Sequence, residues 1–220
     1  MLKTIDDFFQ RQDVKIYGHC SLSNSDKEKI LLSRNIVNLL NSAIVFGIPL
    51  SGSVIRNIED GPDLLYLHHY RQANYLLDRI SFGLAALIED CGYIALPIPA
   101  SQIVDWQNQR ACISHKHFAL LSGIGWLGRN NLIVNSVYRS RLRFATVLTS
   151  IRFETEPKIL RFYCGDCRKC IKMCPAGAIT ETPEGFNHIA CFEKIKELTR
   201  QRNISQYICG ICIKACEKWE

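Results

Sequence analysis

Twelve residues late in the chain constrain it more than any others: Cys164-Gly-Asp-Cys167-Arg-Lys-Cys170-Ile-Lys-Met-Cys174-Pro175. The spacing is C-x2-C-x2-C-x3-C-P, a pattern that holds iron–sulfur clusters. Short spacers let three thiolates converge on one cubane, while the longer step and its proline turn the fourth cysteine away. A displaced fourth cysteine implies a second set, and Cys191, Cys209, Cys212 and Cys216 supply it, the last three spaced C-x2-C-x3-C. A zinc ribbon would instead use paired C-x2-C knuckles, and four cysteines within eleven residues crowd one tetrahedral ion. Disulfides need an oxidising compartment. The amino terminus, Met1-Leu-Lys-Thr-Ile-Asp-Asp-Phe-Phe, is too acidic and its apolar part too short for a signal peptide.

The run resembles that of two-cluster bacterial ferredoxins, in which the displaced cysteine ligates the other cluster. That resemblance implies crossed ligand sets. Cys164, Cys167 and Cys170 with Cys216 would hold one [4Fe–4S] cluster, and Cys174, Cys191, Cys209 and Cys212 the second. Each cluster would tie the two ends of the segment together, so ligand energy would be folding energy there. Glu217, not proline, follows Cys216. Of the eleven cysteines, Cys20, Cys91 and Cys112 remain, and buried structural roles are expected for all three.

The chain has 220 residues, enough for one sizeable domain and a small one, and is 47% hydrophobic and 22% charged, as in soluble globular proteins. No apolar run approaches the length of a membrane span, so a cytoplasmic protein is expected, with no membrane and no DNA partner. The net charge of +6 is modest; it permits a nucleic-acid partner or docking of an acidic electron carrier. Arg168, Lys169 and Lys172 inside the cluster run read first as a solvated rim.

Ahead of the cysteines, apolar spacing predicts a helix over Thr4–Gln12, a strand near Val14–Tyr17 and a helix over Asp26–Leu32. Ser42–Leu50 reads as a strand closed by Pro49. Asp63–Cys91 is the longest helical pattern, with Gly92 as its stop. His68 and His69 are adjacent on that helix and cannot readily face one metal, so surface or packing roles are expected. Tyr93–Pro99 reads as an edge strand, because Pro97 and Pro99 exclude a central one. Residues 100–113 look irregular, and Ser114 can cap a helix over His115–Leu121. Gly123, Gly125 and Gly128 follow in G-x-G-x-x-G spacing but after a helix and before a strand, which is not a dinucleotide-binding context. Leu132–Asn135 and Ser140–Thr149 read as strands, the second half-buried with Arg141 and Arg143 alternating with Leu142 and Phe144. Glu154–Lys158 reads as a linker.

These elements predict an α+β layered sandwich over residues 1–153 and a small ferredoxin-like two-cluster module over residues 154–220. Helices and strands do not alternate regularly enough for a doubly wound parallel sheet.

Several stretches together resemble the epoxyqueuosine reductase family: Ser42–Leu50, Tyr93–Pro99, Gly123-Ile-Gly-Trp-Leu-Gly-Arg-Asn130, Ser140–Thr149 and the cysteine sets. The resemblance implies a nitroreductase-like, corrinoid-binding first domain, of a type also found in reductive dehalogenases. It also implies two clusters feeding single electrons to a cobalamin-type cofactor. On that basis Gly123, Gly125, Trp126, Gly128, Asn130, Ser140 and Arg141 become the candidate corrin contacts, with Arg143 an alternative to Arg141. Trp126 has a second reading as core packing at the domain seam. Two departures stand out. The family's catalytic aspartate lies in a Val-Asp-x-x-Pro context, whereas here Asp105 lacks that proline, and its role is not carried over. The sequence also ends four residues after Cys216, whereas the family continues into tRNA-holding helical repeats.

Three classes of function follow. The first is a corrinoid-dependent reductase acting on an unidentified small molecule or tRNA, fed by a low-potential donor such as ferredoxin or flavodoxin. It would have a cavity for the corrin beside a cluster. His115, Lys116 and Tyr70 are its candidate proton donors, each with a plainer surface or packing role. The second is an electron carrier or subunit with no cobalamin. The third is a tRNA-modifying protein with one continuous basic face.

Overall fold

The computed structural model describes residues 1–154 and 159–217. The expected linker therefore lies, apart from Glu154, outside the described residues. Two compact units emerge, each assembled from separated stretches of chain. One comprises residues 1–48, 74–124 and 143–159, and the other residues 49–73, 125–142 and 160–220.

The first unit is built on an antiparallel sheet of four strands, β1 (Ile16–Ser21), β2 (Ser42–Pro49), β3 (Ala95–Ile98) and β6 (Leu142–Thr149), in the order β1-β2-β6-β3. Bonds from Asn41 N–H to the Thr149 carbonyl and from Leu50 N–H to the Arg141 carbonyl, at opposite ends of β2 and β6, fix the antiparallel sense of the central pair. β3, carrying Pro97, lies at the edge, where a missing N–H costs least.

One face of the sheet presents Ile44, Phe46, Ala95, Ala145 and Val147 to Ile5, Phe8 and Phe9 of α1 (Leu2–Arg11) and to Leu77, Ile80, Leu84 and Ile88 of α5 (Leu64–Asp90). Each fully buried Leu or Ile there contributes about 2 kcal/mol of hydrophobic stabilisation. α6 (His115–Leu121) packs on β1, where Gly18 faces Ser122 so closely that a Cβ would come within 2.9 Å of the serine Cβ. Because Gly18 pairs with Val45, α6 covers the face opposite Ile44 and Phe46. Covered on both faces, β6 is buried from Phe144 to Leu148 without a break instead of alternating as its arginines suggested.

α5 begins where Asp63 Oδ1 accepts the Tyr66 N–H at 2.6 Å. It ends in a Schellman turn, with Gly92 N–H on the Glu89 carbonyl, Tyr93 N–H on the Ile88 carbonyl and Gly92 at φ +83°. α6 ends the same way. Gly123 at φ +72° bonds the Leu120 carbonyl and Ile124 N–H bonds the Ala119 carbonyl.

Two short helices, α2 (Asn24–Lys29) and α3 (Arg34–Val37), also precede β2 in the chain. The second unit contains α4 (Gly52–Asn57), the ribbon of β4 (Trp126–Leu127) and β5 (Ile133–Val134), α7 (Lys169–Met173), α8 (His188–Gln201) and α9 (Ile211–Cys216). α9 packs against both α7 and α4, and the Lys214 ammonium donates to the Ile58 carbonyl. Gly210 starts α9 at φ +84°, and a Cβ there would lie 2.5 Å from Ile58 Cδ1. No helix among the described residues is long and apolar enough to cross a membrane.

Candidate metal centre

Seven of the eight candidate cysteine ligands sit on or beside helices α7, α8 and α9, and Cys164 opens the loop before them. Cys167 is exposed and the other seven are half-buried. Their mutual influence shows which thiols are neighbours. Burial first, then the charges of Cys216, Cys164 and Cys167, push the Cys170 thiol up to about 11. Burial first, then Cys209, Cys191, Cys170 and Cys174, push the Cys212 thiol well above its ordinary value. Cys209 is likewise raised by burial and by Cys174. Cys216 is raised by burial, with Cys164 adding to the rise and Ser140 opposing it through its side chain and backbone. Two neighbourhoods of four thiols result, and they adjoin through Cys170 and Cys212.

Among the described residues, no group of three or more His, Cys, Asp or Glu side chains is gathered tightly enough to hold a single metal ion. A cubane cluster sets a different requirement. Each thiolate takes its own iron at a separate corner, so the sulfurs stand around the cluster instead of meeting at one point.

Most residues nominated for a corrin are committed to internal contacts, the exceptions being the buried Trp126 indole N–H and Ser140 hydroxyl, which have no hydrogen-bond partner. Gly123 is the helix-ending residue of α6. Gly125 and Gly128 close the ribbon: a Cβ on Gly125 would lie 2.3 Å from the Val134 carbonyl oxygen, and one on Gly128 2.6 Å from Val134 Cγ2. Trp126 is buried edge-on to Tyr163, with ring centroids 5.9 Å apart, and its indole N–H has no partner. Asn130 accepts the Leu132 N–H and donates at 3.5 Å to the Cys212 carbonyl. Ser140 is buried against Cys216. Arg141 donates to the Leu50 carbonyl at 2.7 Å and to Glu217 at 3.2 Å. Arg143 donates to the Asn74 side chain and the Ala100 carbonyl. Gly125 and Gly128 therefore serve close packing within the ribbon, Gly125 against the Val134 backbone and Gly128 against the Val134 side chain. A hollow of about 970 Å³ lies instead beside α8, lined by residues such as Pro175, Ala190, Lys194, Arg200 and Tyr207, none of them a nominated corrin contact.

Arg129 was not singled out in the sequence, and it is the most heavily engaged residue of the glycine run. It is 6% exposed. Its Nε donates to the Glu181 carbonyl at 2.8 Å, Nη1 to the Cys167 carbonyl at 3.0 Å and Nη2 to the Gly165 carbonyl at 2.8 Å. Phe162 covers the guanidinium at 5.0 Å. A charged residue following a glycine that packs against a strand was the available signal.

The candidate proton donors fare differently. His115 Nε2 is 3.0 Å from the Pro99 carbonyl and Nδ1 is 2.8 Å from the Thr146 hydroxyl. A carbonyl only accepts, so Nε2 carries the proton and Nδ1 accepts from Thr146. Burial, opposed by the Pro99 bond and aided by Arg143, holds the imidazole down at about 4. It is neutral with both nitrogens engaged, a structural residue and not an acid. Its folded pKa lies below the ordinary 6.5, so its stabilising contribution is complete above pH 6.5 and is lost as pH falls towards 4. We expect a loss on the order of 2 kcal/mol over that window, read by urea unfolding, and a flatter profile for His115→Gln. An unchanged profile in the variant would contradict the assignment. Tyr70 is buried beside Tyr66, and Lys116 is half-buried on α6. His69 Nε2 accepts the Ser51 N–H at 2.8 Å, a packing role. Asp105 is held below the usual carboxylate range by the side-chain amide and N–H of Asn108, so it stays ionised. Cys20 and Cys112 are buried as expected, but Cys91 is exposed because it falls at the C-terminal end of α5.

No family model matches the chain. Among curated proteins, it is 27% identical to an epoxyqueuosine reductase of Atelocyanobacterium thalassa over 114 residues, covering 47% of this chain and 37% of that one. It is 30% identical to that of Prochlorococcus marinus over 111 residues, covering 46% and 35%. The matched stretches thus span little more than a third of these relatives' length. Among solved structures, a catabolic reductive dehalogenase superposes with a TM-score of 0.76 at 18% identity, covering 96% of this chain and 31% of that one. The epoxyqueuosine reductase of Streptococcus thermophilus superposes with a TM-score of 0.62 at 16% identity, covering 98% and 65%. At such identities the structural likeness speaks for the fold. Mixed α/β with small antiparallel sheets, and matched by these relatives in sequence and in fold, the chain is an epoxyqueuosine reductase-like protein.

Proposed function

We propose that the chain is the electron-transfer core of an epoxyqueuosine reductase-like oxidoreductase carrying two [4Fe–4S] clusters. Cys164, Cys167, Cys170 and Cys216 hold one, and Cys174, Cys191, Cys209 and Cys212 hold the other. The observation that carries this reading is the packing of α7 on α9, which brings the two cysteine runs together, with the thiols that influence one another falling into two adjoining sets of four. It supports the crossed sets implied by the sequence spacing, and the all-sulfur donor set suits iron–sulfur chemistry. When bound, the clusters supply single-electron storage. The chain's own residues fix the loops that carry the thiolates, keep most of the sulfurs half-buried, and bury Ser140 beside Cys216. This assignment gives the cysteine-bearing stretch from residue 160 onward the character of a ferredoxin-like module, gathered in one unit with residues 49–73 and 125–142, and leaves the other unit as the nitroreductase-like domain. A low-potential donor such as ferredoxin or flavodoxin would reduce the clusters in the cytoplasm.

Transfer onward to a cobalamin-type cofactor is the further expectation from the relatives, among them a reductive dehalogenase of B12-dependent dehalogenation. Most of the residues nominated for corrin contact are committed to internal contacts, while the Trp126 indole N–H and the Ser140 hydroxyl are buried without a hydrogen-bond partner, and no step is assigned through the cofactor. The test is anaerobic incubation with cobalamin, desalting and metal analysis. We expect iron without retained cobalt, the result of an electron-transfer core. Stoichiometric cobalt would overturn the reading of the glycine ribbon as closed and restore a corrinoid-dependent reductase.

A further inference from the structure

We propose that Arg129 is a positioning residue for the cluster held by Cys164, Cys167, Cys170 and Cys216, and that its buried charge favours that cluster's reduced form. This rests on the two-cluster reading above. The loop from Cys164 to Cys167 is a tight turn, with Gly165 at φ +50° and Cys167 N–H on the Cys164 carbonyl. Arg129 grips it twice, through the Gly165 and Cys167 carbonyls. A trans peptide places its C=O and the following N–H on opposite sides. Drawing those two carbonyls to Arg129 therefore turns the N–H groups of Asp166 and Arg168 away from it. That leaves them free of the guanidinium and available to cluster sulfur, and N–H donation to sulfur raises reduction potential. The third donor fixes the Glu181 carbonyl, so the guanidinium spans the loop and a segment fourteen residues beyond Cys167.

A neutral side chain cannot replace this charge, and lysine cannot replace the planar fork of donors. Glu181 stands 3.7 Å from Arg129 Nε but is itself 58% exposed and paired with Arg168 at 2.7 Å. Water and Arg168 therefore screen the only carboxylate near the guanidinium among the ion pairs of the described residues, and the buried cation keeps its effect on the loop.

The experiment is a potentiometric titration of reconstituted full-length protein, followed by electron paramagnetic resonance, together with iron release to a chelator. In Arg129→Gln, we expect one of two reduction steps to move to lower potential while the other holds, and iron release to quicken several-fold. In Arg129→Lys, we expect the release to quicken but the potential to move less. Wild-type potentials and release rates in Arg129→Gln would overturn the inference, as would equal movement of both steps. An Arg129→Lys protein that fails to fold would also overturn it, since the residue would then hold the whole unit. Wild-type protein lacking clusters would remove the two-cluster reading and this inference with it; unchanged variants in a two-cluster protein would remove this inference alone.

Discussion

Cys170→Ser is expected to carry about four irons per chain where the parent carries about eight. Cys170 lies on α7 among Cys164, Cys167 and Cys216, and a serine oxygen is a poor substitute for thiolate on iron. The loss should extend beyond the metal. α7 and α9 pack on each other, each carries ligands of both proposed clusters or adjoins them, and neither exceeds six residues. Helices so short depend on tertiary ties, and in a cluster module those ties are largely ligand bonds. Reduced helical circular dichroism and faster proteolysis within residues 160–217 should accompany the missing iron. Cys91→Ser is the control: that cysteine is exposed and outside both sets, so its iron content should match the parent. Full iron and unchanged visible absorbance in Cys170→Ser would refute the ligand assignment.

Gly125→Ala is expected to be the most damaging small substitution outside the cysteines, costing about 2–3 kcal/mol. Its new methyl would meet the Val134 carbonyl oxygen at 2.3 Å and Ile133 Cγ2 at 2.9 Å. The first of these is backbone, paired in the ribbon through Trp126↔Val134, so relief requires β4 to leave β5. That movement carries Arg129, four residues on, away from the carbonyls of Gly165 and Cys167, so iron retention should fall with stability. Gly83→Ala makes the contrast. It lies inside α5, where a Cβ would meet only Phe8 at 3.5 Å, an ordinary contact. Alanine there should stabilise by up to about 1 kcal/mol. Urea unfolding of both variants decides the point, and a neutral Gly125→Ala would show that the ribbon is looser than its geometry indicates.

The parts of this fold legible in the sequence are those written in local chemistry. The Gly92 stop of α5, the Ser114 cap of α6 and the prolines of β3 each act within a few residues of themselves. Long-range choices were not legible. Residues 49–73 and 125–142 cluster with the cysteine segment, which no local composition shift announces. The half-buried reading of β6 failed because helices cover both sheet faces. The glycine run shows the problem most clearly. Its sequence reveals a need for close approach, but not whether a ligand or a neighbouring strand does the approaching. Val134 supplies the answer for Gly125 and Gly128, and the turn after α6 supplies it for Gly123. α8 was missed because Glu193, Lys194, Lys196, Glu197 and Arg200 dilute its apolar stripe.

The most direct measurement is iron and acid-labile sulfide per chain in anaerobically prepared protein. The account predicts about eight of each, with the broad visible absorbance of four-iron clusters that bleaches on reduction. Stoichiometric zinc with negligible sulfide, or cysteines recovered as disulfides, would contradict it.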